Sequence, residues 1–317
     1  MKKINQYITE YIVNKKLDKF VDSEHNYEYF PKTKEELIKI LNELIAGDIY
    51  DFNCIDTSAI TDMSHLFDMS LKKLIKYNLK YVKFDVSGWD VSNVENMKYM
   101  FYDCSNFDGN LSKWNISEVK NINSMFCLCK KYTGKGLENW DVSNVENMMS
   151  MFNGCKKFTG KNIENWNVSK VVTMNYMFYY CENFDCDLSK WNVSNIKDMY
   201  SMFSGCKNFK GKGLENWDVS KLENMTYMFN NCENFNGNLS NWDVSKIEDM
   251  TAVFYGCDNF VGNGLENWDV SNVINMEYMF YGCKNLDCDL SKWNVSKVKD
   301  MTVMFYNVKS KPSWYKE

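Results

Sequence analysis

From residue 86 onward the apolar positions follow one template. In the first complete copy they are Val86, Trp89, Val91, Val94, Met97, Met100, Phe101, Cys104 and Phe107. Tryptophan returns at Trp89, Trp114, Trp140, Trp166, Trp191, Trp217, Trp242, Trp268 and Trp293, at gaps of 25 or 26 residues. An earlier copy lacks the Trp. There Ile55 takes its place, and Met63, Leu66 and Phe67 take the Met-Met-Phe places, so ten units run from about 55 to 308. Such a period belongs to a solenoid, because one unit cannot cover its own apolar face and neighbours must stack. Within a unit, L-x-x-W-x-V alternates as a half-buried strand does. The steps of three and four from Val94 to Cys104 then predict a short helix. Ser92, Ser117, Ser143, Ser169, Ser194, Ser220, Ser245, Ser271 and Ser296 stand where its N-cap would be, and Glu95, Glu146, Glu223 and Glu248 complete a capping box.

The pattern changes at both ends. Thr33 as cap, Glu36 three residues on and Gly47 as stop predict a helix over 34–46, with Leu37, Ile40, Leu41 and Leu44 on one face to cover the first unit. A second helix is expected over 4–17. The spacing from Ile55 to Trp89 is 34 residues, which places an insertion around LKKLIKYNLKYVKF. The expected organisation is an N-terminal helical cap region over 1–50, a solenoid over 51–308 with an insertion near 70–84, and a tail over 309–317. The expected fold class is α/β: about ten 25/26-residue strand–helix units, curved because helices are about 10 Å wide and strands stack about 4.8 Å apart.

Composition narrows the function. The 317 residues are 45% hydrophobic and 25% charged with net charge −5, and every strong base is Lys. No clustered positive face is present, so no nucleic-acid partner is expected. No stretch reaches the roughly 18 apolar residues of a membrane span, and the N-terminal wording shows no export signal, so an intracellular, cytoplasmic location is expected. The Asn-x-Ser triplets at Asn115, Asn167, Asn192 and Asn294 would accept glycans only in a secreted chain.

The twelve cysteines invite a disulfide or metal reading. Eight of them (Cys104, Cys129, Cys155, Cys181, Cys206, Cys232, Cys257, Cys283) fall 15 residues after a Trp, a core position, and are expected to pack as reduced thiols. Cys127 and Cys129 form only C-x-C, short of a zinc site. Cys186 and Cys288 replace a turn glycine. With two histidines, His25 and His65, and no phosphate loop, neither an enzyme nor a cofactor or metal site is expected.

What varies between copies is more informative. The residue after each Trp is Asp or Asn: Asp90, Asn115, Asp141, Asn167, Asn192, Asp218, Asp243, Asp269 and Asn294. Beside an inward Trp it should face outward, as either a recognition strip or a polar ladder that keeps the surface wet. Tyr99, Tyr176, Tyr227 and Tyr278 occupy a second variable place and are candidate exposed aromatics. From Tyr176 they recur every 51 residues, which points to duplication of two-unit blocks.

The wording W-D-V-S-N-V-x-x-M-x-x-M-F-x-x-C at 89–104, 140–155 and 268–283 resembles the repeats of BspA-like proteins, a leucine-rich-repeat branch common in mycoplasmas and found in large DNA viruses. The resemblance implies a right-handed leucine-rich-repeat-like solenoid used for adhesion or protein interaction, and in a viral setting a virus-associated location. The expected function is a non-catalytic scaffold that binds an unknown protein partner, which could include itself, through its strand face, without membrane insertion. The alternatives are a self-associating structural component, for example of a virus particle, and a glycan-binding adhesin.

Overall fold

The computed structural model describes residues 27–71 and 76–316. The helix expected over 4–17, His25 and residues 72–75 of the insertion lie outside them. Over the described residues the chain is a repeat solenoid in which equivalent positions of successive units sit side by side.

Each unit is a chain of tight turns. In the Trp89 unit the N–H groups of Trp89, Val94, Met100, Cys104 and Phe107 donate to the carbonyls of Val86, Val91, Met97, Phe101 and Cys104, each three residues back. Two of these turns carry a left-handed residue at their third position, Tyr99 (φ 58°) and Asp103 (φ 59°), as a type II turn requires. All ten residues at the Tyr99 place, from His65 to Val303, have φ between 50° and 59°, and none is Gly. Backbone in this region costs about 1–3 kcal/mol per residue and persists only where its surroundings fix it. Here the next unit fixes it: Met97, Tyr99, Phe101 and Asp103 donate their N–H groups to the carbonyls of Asn121, Asn123, Met125 and Cys127. Parallel bridges continue this pairing through Asn96, Asn121, Asn147, Thr173 and Asp198.

The strand–helix unit therefore needs correcting. Among the described residues the α-helix is α1, Lys34–Ala46, and the other helical pieces are three-residue 3₁₀ turns at Leu137–Asn139, Leu214–Asn216 and Leu265–Asn267. A run of i→i+3 turns sends side chains inward at steps of three and four, as a helix does, so the apolar pattern does not separate the two. Sheet-like pairing lies on the Met-x-x-Met-Phe segment, not on W-x-V. Without a helix in each unit, the width difference invoked for curvature lapses.

The inward side chains make one continuous core. Val86, Trp89, Val91, Val94, Met97, Met100, Phe101, Cys104 and Phe107 are all at most 2% exposed. Phe101, Phe126, Phe152 and Phe178 stack with ring centroids 5.6–5.9 Å apart and planes within 8°. Two further ladders bind each unit to the one before. Trp Nε1 donates to the carbonyl of the preceding unit's aliphatic residue, Trp114 to Val86 and Trp191 to Ile163, both at 3.0 Å. Cys Sγ donates to the carbonyl of the preceding unit's Phe, Cys129 to Phe101 and Cys206 to Phe178, at 3.0 and 2.9 Å.

The 25/26 alternation has a local cause in the return to the Trp. Before Trp114, Trp191, Trp242 and Trp293 the chain turns on Asn110, Asp187, Asn238 and Asp289, whose Oδ1 accepts the N–H of the Ser two residues on. Before Trp140, Trp217 and Trp268 it spends one more residue and turns on Gly136, Gly213 and Gly264, with φ of 89–91°. A Cβ on Gly213 would lie 2.2 Å from the backbone N of Ser189, so only Gly fits there.

Both ends are covered. On α1 the Thr33 hydroxyl accepts the Glu36 N–H at 3.2 Å, and Leu37 and Leu41 are fully buried. At the other end Trp314 stacks on Trp293 at 6.4 Å and donates from Nε1 to the Leu290 carbonyl at 2.8 Å. A tenth tryptophan, 21 residues after the ninth, thus occupies the Trp column outside the repeat spacing.

Candidate interaction surface

The Asp/Asn strip is exposed along its whole length. Its first task is structural. In all nine units Oδ1 accepts the backbone N–H of the Ser two residues on, from Asp90–Ser92 to Asn294–Ser296, at 3.0–3.2 Å. The Ser is thus the donor of an Asx turn and not a helix cap. Asp and Asn both offer Oδ1, which explains why the place tolerates either and little else. The Ser hydroxyl, then the Ser N–H, holds Asp141, Asp218, Asp243 and Asp269 below the usual carboxylate range.

Tyr99, Tyr176, Tyr227 and Tyr278 are half-buried, not fully exposed. They belong to a larger set. Tyr176 meets Tyr179 at 5.4 Å and Tyr200 of the next unit at 5.0 Å, and Tyr200 meets Tyr227 at 5.8 Å. Further along, Tyr255 stacks on Tyr281 at 4.6 Å, Tyr281 on Tyr306 at 4.8 Å, and Tyr278 approaches Tyr255 at 6.3 Å. These residues stand 9, 10 or 13 places after a Trp, Tyr180 at place 14 meets Tyr179 at 4.6 Å, and the ring contacts put those four places on one outer face. Burial, then the Tyr200 hydroxyl, pushes Tyr176 up to about 12. A helix would also bring these places to one side, since they are one, three and four residues apart. The contributing signal, an excess of Tyr at four places, was present in the sequence.

This face is also chemically distinct. In the six units from Trp114 to Trp242, none of these four places holds Asp, Glu or Lys. The charged rows flanking it are paired between units: Lys197–Glu223 at 2.8 Å on one side, and Lys156–Glu182 at 2.6 Å and Lys207–Glu233 at 2.7 Å on the other. Two buried acceptors on it, Asn123 Oδ1 and Asn175 Oδ1, have no hydrogen-bond partner.

Other candidate chemistry leads elsewhere. Burial raises the thiols of the eight-cysteine ladder above their ordinary range, which disfavours the reactive thiolate. Cys186 is buried, while Cys288 is half-buried and raised by burial to about 12. His65 Nδ1 lies 2.7 Å from Asp68 Oδ2. The Ser70 hydroxyl, however, donates to Asp68 and not to His65, so the nucleophile–base bond of an acyl-transfer triad is not made. Among the described residues no three His, Cys, Asp or Glu side chains gather as a metal site, and no helix is long and apolar enough to cross a membrane.

Comparison with known proteins places this repeat. No curated protein matches the chain. A crystal structure of a leucine-rich repeat protein from Eubacterium ventriosum is similar over 85% of this chain and 86% of that one, at 14% identity and a TM-score of 0.39. The family described as "Mycoplasma protein of unknown function, DUF285" matches residues 44–159, 128–242 and 228–313. These matches span all the units and include the stretches 89–104, 140–155 and 268–283. The chain belongs to that family.

Proposed function

We propose that this protein is a non-catalytic repeat scaffold for protein–protein interaction. The observation that carries the reading is the division of labour within each unit. The repeated residues are buried, and the residues that vary form continuous outer rows on a backbone fixed by inter-unit hydrogen bonds. Rows of this kind supply many weak contacts at little cost in ordering, because the backbone is already set before a partner arrives. The Asp/Asn strip and the tyrosine face are the two such rows, and the strip's second carboxylate oxygen is the group it can offer a partner. The test is photo-crosslinking in the native cell, with the crosslinker placed in turn at Tyr227, Asp243 and a fully buried control, Met202. Adducts from an outer row to one defined protein, absent from the control, support the scaffold. Adducts only to further copies of the chain, or none from either row, overturn it.

A further inference from the structure

The flanking charges, the tyrosine rings and the two unpaired amide oxygens all bear on what the tyrosine face can bind. We infer that the face running from Asn123 to Tyr255 is the docking surface for an uncharged patch of a partner protein that presents N–H donors. The inference rests on the scaffold reading and names its interface.

Three observations carry it. First, the face is neutral in a chain that is 25% charged. A charge buried against it would lose its water; the flanking Lys and Glu side chains are committed to each other across units, and the two carboxylates at its border are already engaged, Asp198 by the Asn175 amide and the Tyr200 N–H and Asp249 by Thr251. Second, Asn123 is 2% exposed, yet its Oδ1 accepts nothing, and in the half-buried Asn175, whose Nδ2 donates to Asp198, the buried Oδ1 likewise has no partner. Buried acceptors are normally satisfied, so two unsatisfied ones on one surface point to donors brought from outside. Third, apart from Cys127, Leu128, Met149 and Ala252 the face is made of Tyr, Ser, Asn, Thr and Gly, which combines stiff amphipathic rings with small hydrogen-bonding groups. That is the combination found in protein-binding loops that recognise by contact and not by charge.

The same geometry weighs against one other occupant. In a second copy apposed unit for unit by a two-fold axis along the solenoid, the two flanking rows of each unit would meet. In the Trp191 and Trp217 units those rows carry like charge, Lys197 with Lys207 and Glu223 with Glu233.

The repeat supplies its own mild substitutions. Ser201 stands at the place of Tyr227 one unit earlier, and Thr226 at the place of Tyr200 one unit later. The pair Tyr200→Thr, Tyr227→Ser should therefore fold with an unchanged melting temperature. A phage-displayed random peptide library is panned against the full chain. The expected clones are poor in Asp, Glu, Lys and Arg. They lose at least tenfold in affinity on the Tyr200→Thr, Tyr227→Ser chain, keep their affinity on Asp218→Asn, Asp243→Asn, and bind equally at low salt and at about 1 M, where exposed charge is screened. Charge-rich clones, or clones sensitive only to the Asp variants, overturn the inference while leaving a scaffold standing. Retention of a neutral oligosaccharide on a glycan array that the tyrosine variant abolishes overturns it in favour of a sugar. Concentration-dependent dimerisation in sedimentation, abolished by the tyrosine variant, overturns it in favour of a second copy. No clones at all, together with no cellular crosslinks, would remove both the inference and the scaffold.

Discussion

At the scale of single residues, the interchange of Asp and Asn after each Trp is a statement about turns. One side-chain oxygen accepts the Ser N–H whichever residue is present. Asp218→Asn should change stability by less than about 0.5 kcal/mol in urea unfolding, whereas Asp218→Ala should cost about 0.5–1.5 kcal/mol, the worth of one such hydrogen bond. The charge itself shows in acid. Asp141, Asp218, Asp243 and Asp269 have folded pKa values below their unfolded ones. Their contribution is complete above the unfolded value near 4 and is lost as pH falls through the folded values. Stability should therefore decline as pH falls below about 4, and changing all four to Asn should flatten that limb. An unchanged limb would place the acid-sensitive groups elsewhere. Glycine has one demanding role here: Gly213→Ala must relieve a 2.2 Å approach to Ser189 at φ 91°. A loss of at least about 1–3 kcal/mol is expected.

At the scale of the unit, burial was legible in the sequence and conformation was not. Each residue from Val86 to Phe107 read as core is core, because inward placement is all that the apolar spacing encodes. Spacing of three and four residues serves a helix and a string of i→i+3 turns equally. The deciding residue was Tyr99 and its counterparts, left-handed in every unit without being Gly, a conformation that side-chain type does not announce. The outer places 9, 10 and 13 after each Trp share a side in either conformation, so Tyr200 and Tyr281 belong with Tyr176 and Tyr278 whichever is adopted. The ladders give sharp tests at this scale. Trp191→Ala should cost about 3–5 kcal/mol. Trp191→Phe keeps most of the bulk but strands the Ile163 carbonyl that Nε1 satisfies, at about 1–3 kcal/mol. Thermal unfolding that ranks Phe as costly as Ala would show that the hydrogen bond, not the volume, dominates. For the thiols, alkylation of the native protein should reach Cys54 and Cys288 first, since the other ten are buried. Those ten should react only as fast as the fold opens.

At the scale of the whole molecule, every unit leans on its neighbours, so stability is a sum of units and interfaces and the ends matter more than their length suggests. Trp314 is the clearest case. The repeat spacing assigns it no place, yet it closes the Trp column over Trp293. Trp314→Ala should lower hydrogen-exchange protection in the last one or two units and leave the Trp166 and Trp191 units as protected as before. Uniform loss along the chain would mean that the solenoid opens as a single block. The inter-unit hydrogen bonds have one more consequence, which is mechanical. They run from each unit to the next, so a pull applied to the two ends loads the interfaces in series, and a terminal interface peels a few bonds at a time. Stretching a single molecule should therefore yield no single large rupture. It should yield a train of small, nearly equal force peaks, each releasing the 25 or 26 residues of one unit, about 90 Å of chain at roughly 3.5 Å per residue.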